Sequence, residues 1–359
     1  MAKRINKIQE FLDEKDIDAL LIKSKTVKKW MNTMTGSGCQ VLITKEHGYL
    51  IVDGRYITEA KEKEHDLEII LHNPHLTGRN YLGTVEEILK KENCKTLGVE
   101  AYQVLVKEYQ EIEKLGIEVL LLDQEIAHLR IVKEDEAMKK SIAITDEIYQ
   151  KVIEHIHVGM SEYEISALVQ YYSIASGAQQ MSFDTIVATG ERTALPHGRP
   201  TSRKVKAHEP IMIDFGIQYQ NYQSDMTRMC FIGEPDPKIK EIYDVVLKAQ
   251  LAGLSAIKAG AKGKDVDKAA RDVIEDAGYG EYFNHGLGHG LGIGEDGEGP
   301  TLNSKSETVL QEHMMMSCEP GVYVPGVGGV RIEDDVVIID GVGVPLNKTT
   351  KDYIILEDK

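Results

Sequence analysis

Residues 285–300 read HGLGHGLGIGEDGEGP, placing His285 and His289 at i and i+4 with Glu295, Asp296 and Glu298 close behind. Imidazoles and carboxylates are the side chains that bind divalent cations and move protons. Gly292, Gly294 and Gly297 also satisfy the spacing G-x-G-x-x-G, which would suggest a phosphate loop. Charge and context oppose that reading. A dinucleotide fingerprint lies between a strand and a helix and meets phosphate with bare N–H groups, whereas here Glu295 and Asp296 lie inside the match and Pro300 follows it. The glycines also argue against a helix carrying the histidine pair, since each costs about 1 kcal/mol relative to Ala. The stretch is therefore extended or irregular backbone that passes close to something, and its neighbours decide its chemistry.

Candidate neighbours are carboxylates in segments that otherwise read as core. Asp214 lies in IMIDFGI and Asp225 in SDMTRMCFI, two apolar runs with strand character. A hairpin turning at Tyr219 and Gln220 would set residues 214 and 225 directly opposite each other on one face, where like charges repel. Downstream, Glu319 interrupts MMMSCEPGVYV and Glu333 opens the acidic end of VRIEDDVVII. A single strand carboxylate is usually one that points to solvent from a strand end. Four of them in apolar strands are costly to bury unless positive charge lies among them, and a pair of divalent cations is the economical source. Oxygen-rich coordination with one imidazole and no thiolate suits Mn²⁺, Co²⁺, Fe²⁺ or Zn²⁺ and disfavours a structural zinc site. Two such ions about 3.5 to 4 Å apart lower the pKa of a bridging water and polarise a carbonyl, which is apparatus for hydrolysis.

The elements that must position these side chains fall into two groups. From the start to about residue 122, short apolar runs alternate with amphipathic stretches. Ile5, Ile8, Phe11 and Leu12 keep helical spacing, DALLI reads as a strand, and VLIT and YLIV around KEHG read as a hairpin. TVEEILKKE and VLVKEYQEIEKL read as helices between the strands LEIIL, TLGV and IEVLLL, an α/β domain over residues 1–123. DQEIAHLRIVKEDEAMKK reads as one long charged helix leading into a second domain over residues 134–359. There, helices up to His157, from Ser161, and over IKEIYDVVLKAQLAGLSAIKA and GKDVDKAARDVIEDAG mix with antiparallel strands, which is an α+β class.

Composition bounds the partners. At 359 residues the chain supports two cores. With 42 Lys and Arg against 58 Asp and Glu, its formal charge of −16 disfavours nucleic acid and anionic membranes. MAKRINKIQE lacks an apolar export segment, so a cytoplasmic protein is expected. Cys39, Cys94, Cys230 and Cys318 are scattered without C-x-x-C spacing, as reduced, mostly buried thiols would be.

The ordered set LPHG, IDFG, SDMTR, HGLGHG, CEPG and RIEDD resembles the pita-bread metallopeptidases, in particular the aminopeptidase P and Xaa-Pro dipeptidase (prolidase) group. TMTGSGCQVLIT followed by YLIVDGRYITEA resembles the creatinase-like amino-terminal domain that accompanies those enzymes. The resemblance implies a pita-bread catalytic domain preceded by a smaller α/β domain, a homodimer, and short proline-containing peptides as substrates. It implies two divalent ions, manganese first, held by Asp214, Asp225, His289, Glu319 and Glu333. In the implied reaction a metal-bridging hydroxide attacks the Xaa-Pro bond, with Glu319 also serving as acid/base. His197 in LPHG and His285 would hydrogen-bond the substrate carbonyl or the tetrahedral intermediate, and Arg331 would steady the site and face a carboxylate.

One position departs from the family pattern. Where relatives place a further histidine seven residues after the ligand histidine, this chain has Asp296, and the GP that follows arrives one residue late. Two other readings stand beside the peptidase: a catalytically weak or inactive binding module on the same fold, and a metal-free creatinase-like hydrolase. The complete set of five ligand residues disfavours both, because unused buried carboxylates burden the fold.

Overall fold

The computed structural model describes residues 2–63, 66–78, 80–132, 136–294 and 298–357. It divides into two compact units, Met1–Arg130 and Ile131–Lys359. The first contains α1 (Ala2–Lys15), β1 (Ala19–Ile22), α2 (Lys25–Trp30), β2 (Cys39–Thr44), β3 (Gly48–Val52), α3 (Ile57–Lys63) and β4 (Glu68–Leu71). It continues with α4 (Pro74–Thr77), α5 (Tyr81–Lys91), β5 (Thr96–Glu100), α6 (Val106–Glu113), β6 (Glu118–Leu122) and α7 (Gln124–His128). The strands form one mixed sheet in the order β4-β3-β2-β1-β5-β6. Its interior strands carry unbroken apolar runs such as ALLI, buried throughout, as expected for a sheet covered on both faces. The expected hairpin around KEHG is present, with Ile43 opposite Gly48.

The single long helix expected over DQEIAHLRIVKEDEAMKK is not formed. Helix α7 ends at His128, Val132 makes an isolated bridge to Met314, and residues 133–135 lie outside the described set. Ile131 and Val132 pack against the core of the second unit. Burial of these two β-branched side chains overrides the charged helical pattern around them.

The second unit opens with α8 (Glu136–Ile153), α9 (Glu162–Ala175), β7 (Gln180–Met181) and β8 (Ile186–Thr189). Then come β9 (Pro210–Phe215), β10 (Ile217–Tyr219), β11 (Tyr222–Gln223), β12 (Met226–Ile232), α10 (Pro237–Ala256) and α11 (Gly263–Asp276). It closes with β13 (Met315–Cys318), β14 (Gly321–Val324), β15 (Gly328–Arg331), β16 (Asp334–Ile339), β17 (Val342–Pro345) and β18 (Ile354–Leu356). In the sheet β18-β12-β9-β8 every residue of β8, β9 and β12 is buried. Ala188, Met212, Met229 and Phe231 pack in one core with Ile242 and Val246 of α10 and Val266 of α11. Val187, Ile211, Ile213 and Cys230 pack in another with Ile148 of α8 and Val169 of α9. This strict alternation puts a helical layer on each side, so a charge on either face is enclosed by protein. Among the described residues no helix is long and apolar enough to cross a membrane.

Two local expectations are corrected. First, Asp214 pairs with Thr227, not with Asp225, because the hairpin turns at Gln220 and Asn221. Both of those residues hold positive φ, 47° and 74°, which asparagine tolerates and the bulky Tyr219 does not. Moving the turn by one residue shifts the register by two. Second, MMMSCEPGVYV and VRIEDDVVII do not form one strand each. Strands β13 and β16 belong to the sheet β13-β16-β17, while β14 and β15 pair only with each other. Glu319 and Glu333 sit in the two breaks where the chain leaves one sheet for the other.

Beneath the second break lies Arg228, 1% exposed. Its guanidinium donates to the Glu333 carbonyl, to Asp334 Oδ1 at 2.6 Å and to the Thr349 carbonyl at 2.9 Å. Gln250 and Lys351 donate to the other oxygen of Asp334. Replacing the arginine leaves Asp334 Oδ1 and several buried carbonyls without this donor, and Asp334 with Lys351 as its remaining cation. Arg228→Met is expected to lower stability by about 3–5 kcal/mol, read as a fall in the urea midpoint; an unchanged midpoint would show that this network does not hold the break together.

Candidate metal centre

The Gly-rich stretch lies antiparallel along β13. Leu291 N–H donates to Met315 O at 3.1 Å, Ser317 N–H to His289 O at 2.8 Å, and Glu319 N–H to Leu287 O at 2.8 Å. On its other side Gly288 and Leu302 exchange backbone bonds of 2.8 and 3.1 Å. No side chain fits between these layers: a Cβ on Gly288 would stand 2.1 Å from Ser317 O, and one on Gly290 would stand 1.8 Å from Gly299 O. The two glycines let backbone close in from both sides, and His289 is delivered from between them.

His289 Nε2 lies 3.5 Å from Asp225 Oδ2 and 3.3 Å from Glu319 Oε1. Asp225, His289 and Glu333 each present a ligand atom, and those atoms lie within 4.8 Å of one another. Asp214 approaches from β9, its Oδ2 accepting from Arg331 Nη2. Asp214 Oδ1 and Glu333 Oε1 are buried and accept no hydrogen bond among the described residues. Buried acceptors are rarely left so, and a carboxylate cluster with one imidazole is a donor set that hard or borderline divalent cations satisfy. The residues fit a metal centre.

Electrostatics point the same way. Burial raises the Asp214 carboxyl to about 7; Arg331 opposes the rise, while the charges of Asp225 and Glu319 add to it. Burial also raises Asp225, against the pull of His289. Glu333 is pushed well above the carboxylate range by burial and then by Asp225, Glu319 and Asp214. His289 moves upward, to about 10: burial opposes the charge, but the hydrogen bond to Asp225 and the charge of Glu319 outweigh it. Without a cation in the cluster the His289 ring is thus drawn to its protonated form, and as a ligand it would bind neutral, giving up that proton.

Of the three other sequence-derived residues, Arg331 touches this cluster, His285 reaches it through Tyr323, and His197 follows Pro196, whose carbonyl accepts from Arg331. Arg331 donates to Asp214, to Thr227 Oγ1 at 2.8 Å, and to the Pro196 carbonyl and the Tyr323 hydroxyl at 3.1 and 2.9 Å. His285 is engaged on both nitrogens, Nδ1 with the Gly286 carbonyl at 2.7 Å and Nε2 with Tyr323 Oη at 2.9 Å. Burial lowers its pKa, and the neutral ring with Nδ1 protonated accepts from the tyrosine. His197 is exposed in the loop after β8, beside an open cavity of about 500 Å³ lined by Arg192, Leu195, Pro196 and Arg199. It makes no hydrogen bond among the described residues. Asp296 lies outside them.

Sequence reasoning passed over the hydroxyls that orient this cluster. Thr227 donates to Glu333 Oε2 at 2.7 Å. Ser317 donates to Glu319 Oε1 at 2.9 Å and accepts the His289 N–H at 3.0 Å. Asp335 Oδ2 accepts the Asp225 N–H at 3.0 Å. Each stands two residues from an acidic member of the cluster, so the period of two that puts alternate side chains on one face was the available signal. Tyr323, inside the apolar run GVYV, carried none.

Known proteins share this arrangement of sequence and fold. Residues 136–340 match metallopeptidase family M24, and residues 4–132 match the creatinase/prolidase N-terminal domain. An Xaa-Pro dipeptidase of Pyrococcus furiosus is 37% identical, over 99% of this chain and 100% of its own. Among solved structures, an Xaa-Pro dipeptidase from Bacillus anthracis superposes with a TM-score of 0.93 at 35% identity, covering 99% of both chains. An X-Pro aminopeptidase from Thermotoga maritima gives 0.88 at 34% identity, covering 95% of this chain and 98% of its own.

The raised carboxyls set a pH dependence for chelator-treated protein. A carboxyl whose folded pKa lies above its unfolded value contributes stability that is full below the unfolded pKa and is lost as pH rises through the folded one. Asp214, near 7 against 3.8, thus loses its contribution between about pH 4 and 7, and Asp225 and Glu333 shift in the same sense. His285 shifts oppositely and offsets part of the change. The chelated protein is expected to melt at a higher temperature at pH 5 than at pH 8, and saturating Mn²⁺ to shrink or reverse the gap. A chelated protein more stable at pH 8 would contradict the mutual repulsion.

Proposed function

The chain belongs to metallopeptidase family M24, and from that premise we propose that it hydrolyses the bond between an amino-terminal residue and proline, in dipeptides or at peptide N-termini. Five side chains, Asp214, Asp225, His289, Glu319 and Glu333, hold two divalent ions, of which Mn²⁺ is the first candidate and Co²⁺, Fe²⁺ and Zn²⁺ the others. The observation that carries this reading is the convergence of Asp225, His289 and Glu333 within 4.8 Å, next to buried carboxylate oxygens without partners. When bound, such ions supply Lewis acidity toward a peptide carbonyl and toward water.

The protein's own groups do the rest. Glu319, kept in place by Ser317, takes the proton of the attacking water and returns it to the departing proline nitrogen. That nitrogen carries no hydrogen in the substrate, so recognition rests on the ring and the carbonyl, and departure requires a proton from the enzyme. His197, unengaged among the described residues, donates to the substrate carbonyl as negative charge develops. His285, whose Nε2 accepts from the Tyr323 hydroxyl, instead accepts from the hydroxyl of the tetrahedral intermediate once that intermediate displaces the tyrosine. Arg331 fixes Asp214 by their direct ion pair and opposes the rise of its carboxyl pKa.

Kinetics on Ala-Pro and Ala-Pro-Ala after reconstitution with Mn²⁺ or Co²⁺ test the proposal. Hydrolysis of either supports it, and their ratio separates dipeptidase from aminopeptidase; hydrolysis of neither by metal-loaded protein overturns it. Glu319→Gln is expected to lower turnover by about 10²-fold or more with a smaller change in KM, since proton transfer is felt in the transition state. Undiminished turnover at full metal occupancy would remove Glu319 from the chemistry.

A further inference from the structure

Glu162 is a charged side chain that touches none of the cluster described above. It opens α9 and is fully buried. Its Oε1 accepts the Thr189 N–H and the Thr189 hydroxyl, each at 2.9 Å. Its Oε2 accepts from Arg192 Nη1, from the Thr201 N–H at 2.9 Å and from the Thr201 hydroxyl at 2.7 Å. All five donors belong to one excursion of the chain, which leaves β8 at Thr189, makes a 3-10 turn over Gly190–Ala194, and passes Pro196 and His197 before reaching Thr201. Between the two anchored ends the Pro196 carbonyl accepts from Arg331, the residue paired with Asp214.

A buried carboxylate is costly unless its lone pairs are met and its charge is paired. The packing of α9 gives no reason for one, since Ile165 and Val169 meet the core with apolar side chains. The loop does give a reason. Thr189–Thr201 is long and contains little regular structure, so its ordering entropy must be offset by specific bonds. A glutamine of the same shape would turn its NH₂ toward groups that are themselves donors.

We propose that Glu162 is a positioning residue: its carboxylate ties both ends of the Thr189–Thr201 loop to α9 and thereby fixes His197 at the edge of the metal centre. The effect on catalysis rests on the peptidase reading above; the anchoring rests on the geometry alone. Glu162 holds no metal, so its loss displaces His197 without emptying the centre.

The test uses the full-length Mn²⁺-loaded protein, with hydrogen exchange, metal content and Ala-Pro kinetics read on the same samples. In Glu162→Gln, amides of residues 190–200 are expected to exchange at least about tenfold faster while those of α8 and α10 are unchanged. Metal content stays at the wild-type value, and kcat/KM falls by about 10²-fold through misplacement. In a His197→Ala background the same substitution costs less than about 3-fold more, because the two residues act as a unit. Thr201→Val, which removes the hydroxyl that donates to Glu162 and accepts the Arg203 N–H, shows the same changes on a smaller scale and serves if Glu162→Gln does not fold. Unaltered exchange in the loop, losses that multiply in the double variant, or activity lost in step with metal would each overturn the proposal. If wild-type protein cleaves no Xaa-Pro peptide, the peptidase reading falls, while exchange and metal content still decide whether Glu162 anchors the loop.

Discussion

Mutual repulsion among buried carboxylates is the constraint on which the second unit turns. Asp214, Asp225 and Glu333 are each less than a tenth exposed, and each has its carboxyl pushed upward by burial and further by neighbouring carboxylate charge, that of Glu319 in every case. Such a cluster costs stability unless cations lie within it. Much of the surrounding structure answers that cost. Arg331 is held against Asp214 by bonds to Thr227, Tyr323 and Pro196, and His289 is brought in by a strand whose glycines leave no space for side chains. In the function proposed above this repulsion carries over into the chemistry, because the cations that would relieve it would also activate water and carbonyl.

The fold delivers the cluster through interruptions in otherwise regular strands. Glu319 and Glu333 occupy points where the chain changes sheets, and at such breaks a side chain escapes the strict alternation that would place it in an apolar layer. Backbone freed at the second break is taken up by Arg228, whose guanidinium reaches the Glu333 carbonyl, Asp334 and Thr349 together. Rigidity around the centre is thus built from buried, charge-assisted hydrogen bonds on elements distant in sequence. Hydroxyls of Thr227 and Ser317 then orient the carboxylates they touch, the usual task of the groups behind a metal ligand.

The acidic residues and His289 were legible because each broke a local rule: charge in an apolar strand, histidine among glycines. Helices α9 to α11 and most strands were legible from the pattern of apolar and polar residues, as with α9, expected from Ser161 and found over Glu162–Ala175. What was not legible depended on contacts distant in sequence. The hairpin register turned on whether Gln220 and Asn221, or Tyr219 and Gln220, take positive φ, a choice that sequence pattern alone weighs poorly. The breaks at Glu319 and Glu333 follow from pairing between β13 and β16 and between β14 and β15; the first is marked by Pro320 and Gly321, a breaker that reading the run as one strand passed over, while the second run has no such mark. Glu162 reads as an ordinary first-turn helix acid; only the fold reveals that its acceptors are consumed by a loop some thirty residues away.

Metal stoichiometry tests the account most directly. Purified protein stripped with chelator, reloaded with excess Mn²⁺, freed of unbound ion and subjected to elemental analysis should carry two ions per chain. A reproducible value near zero, with all five ligand residues intact and the protein folded, would contradict the claim that the buried carboxylates are assembled around divalent cations.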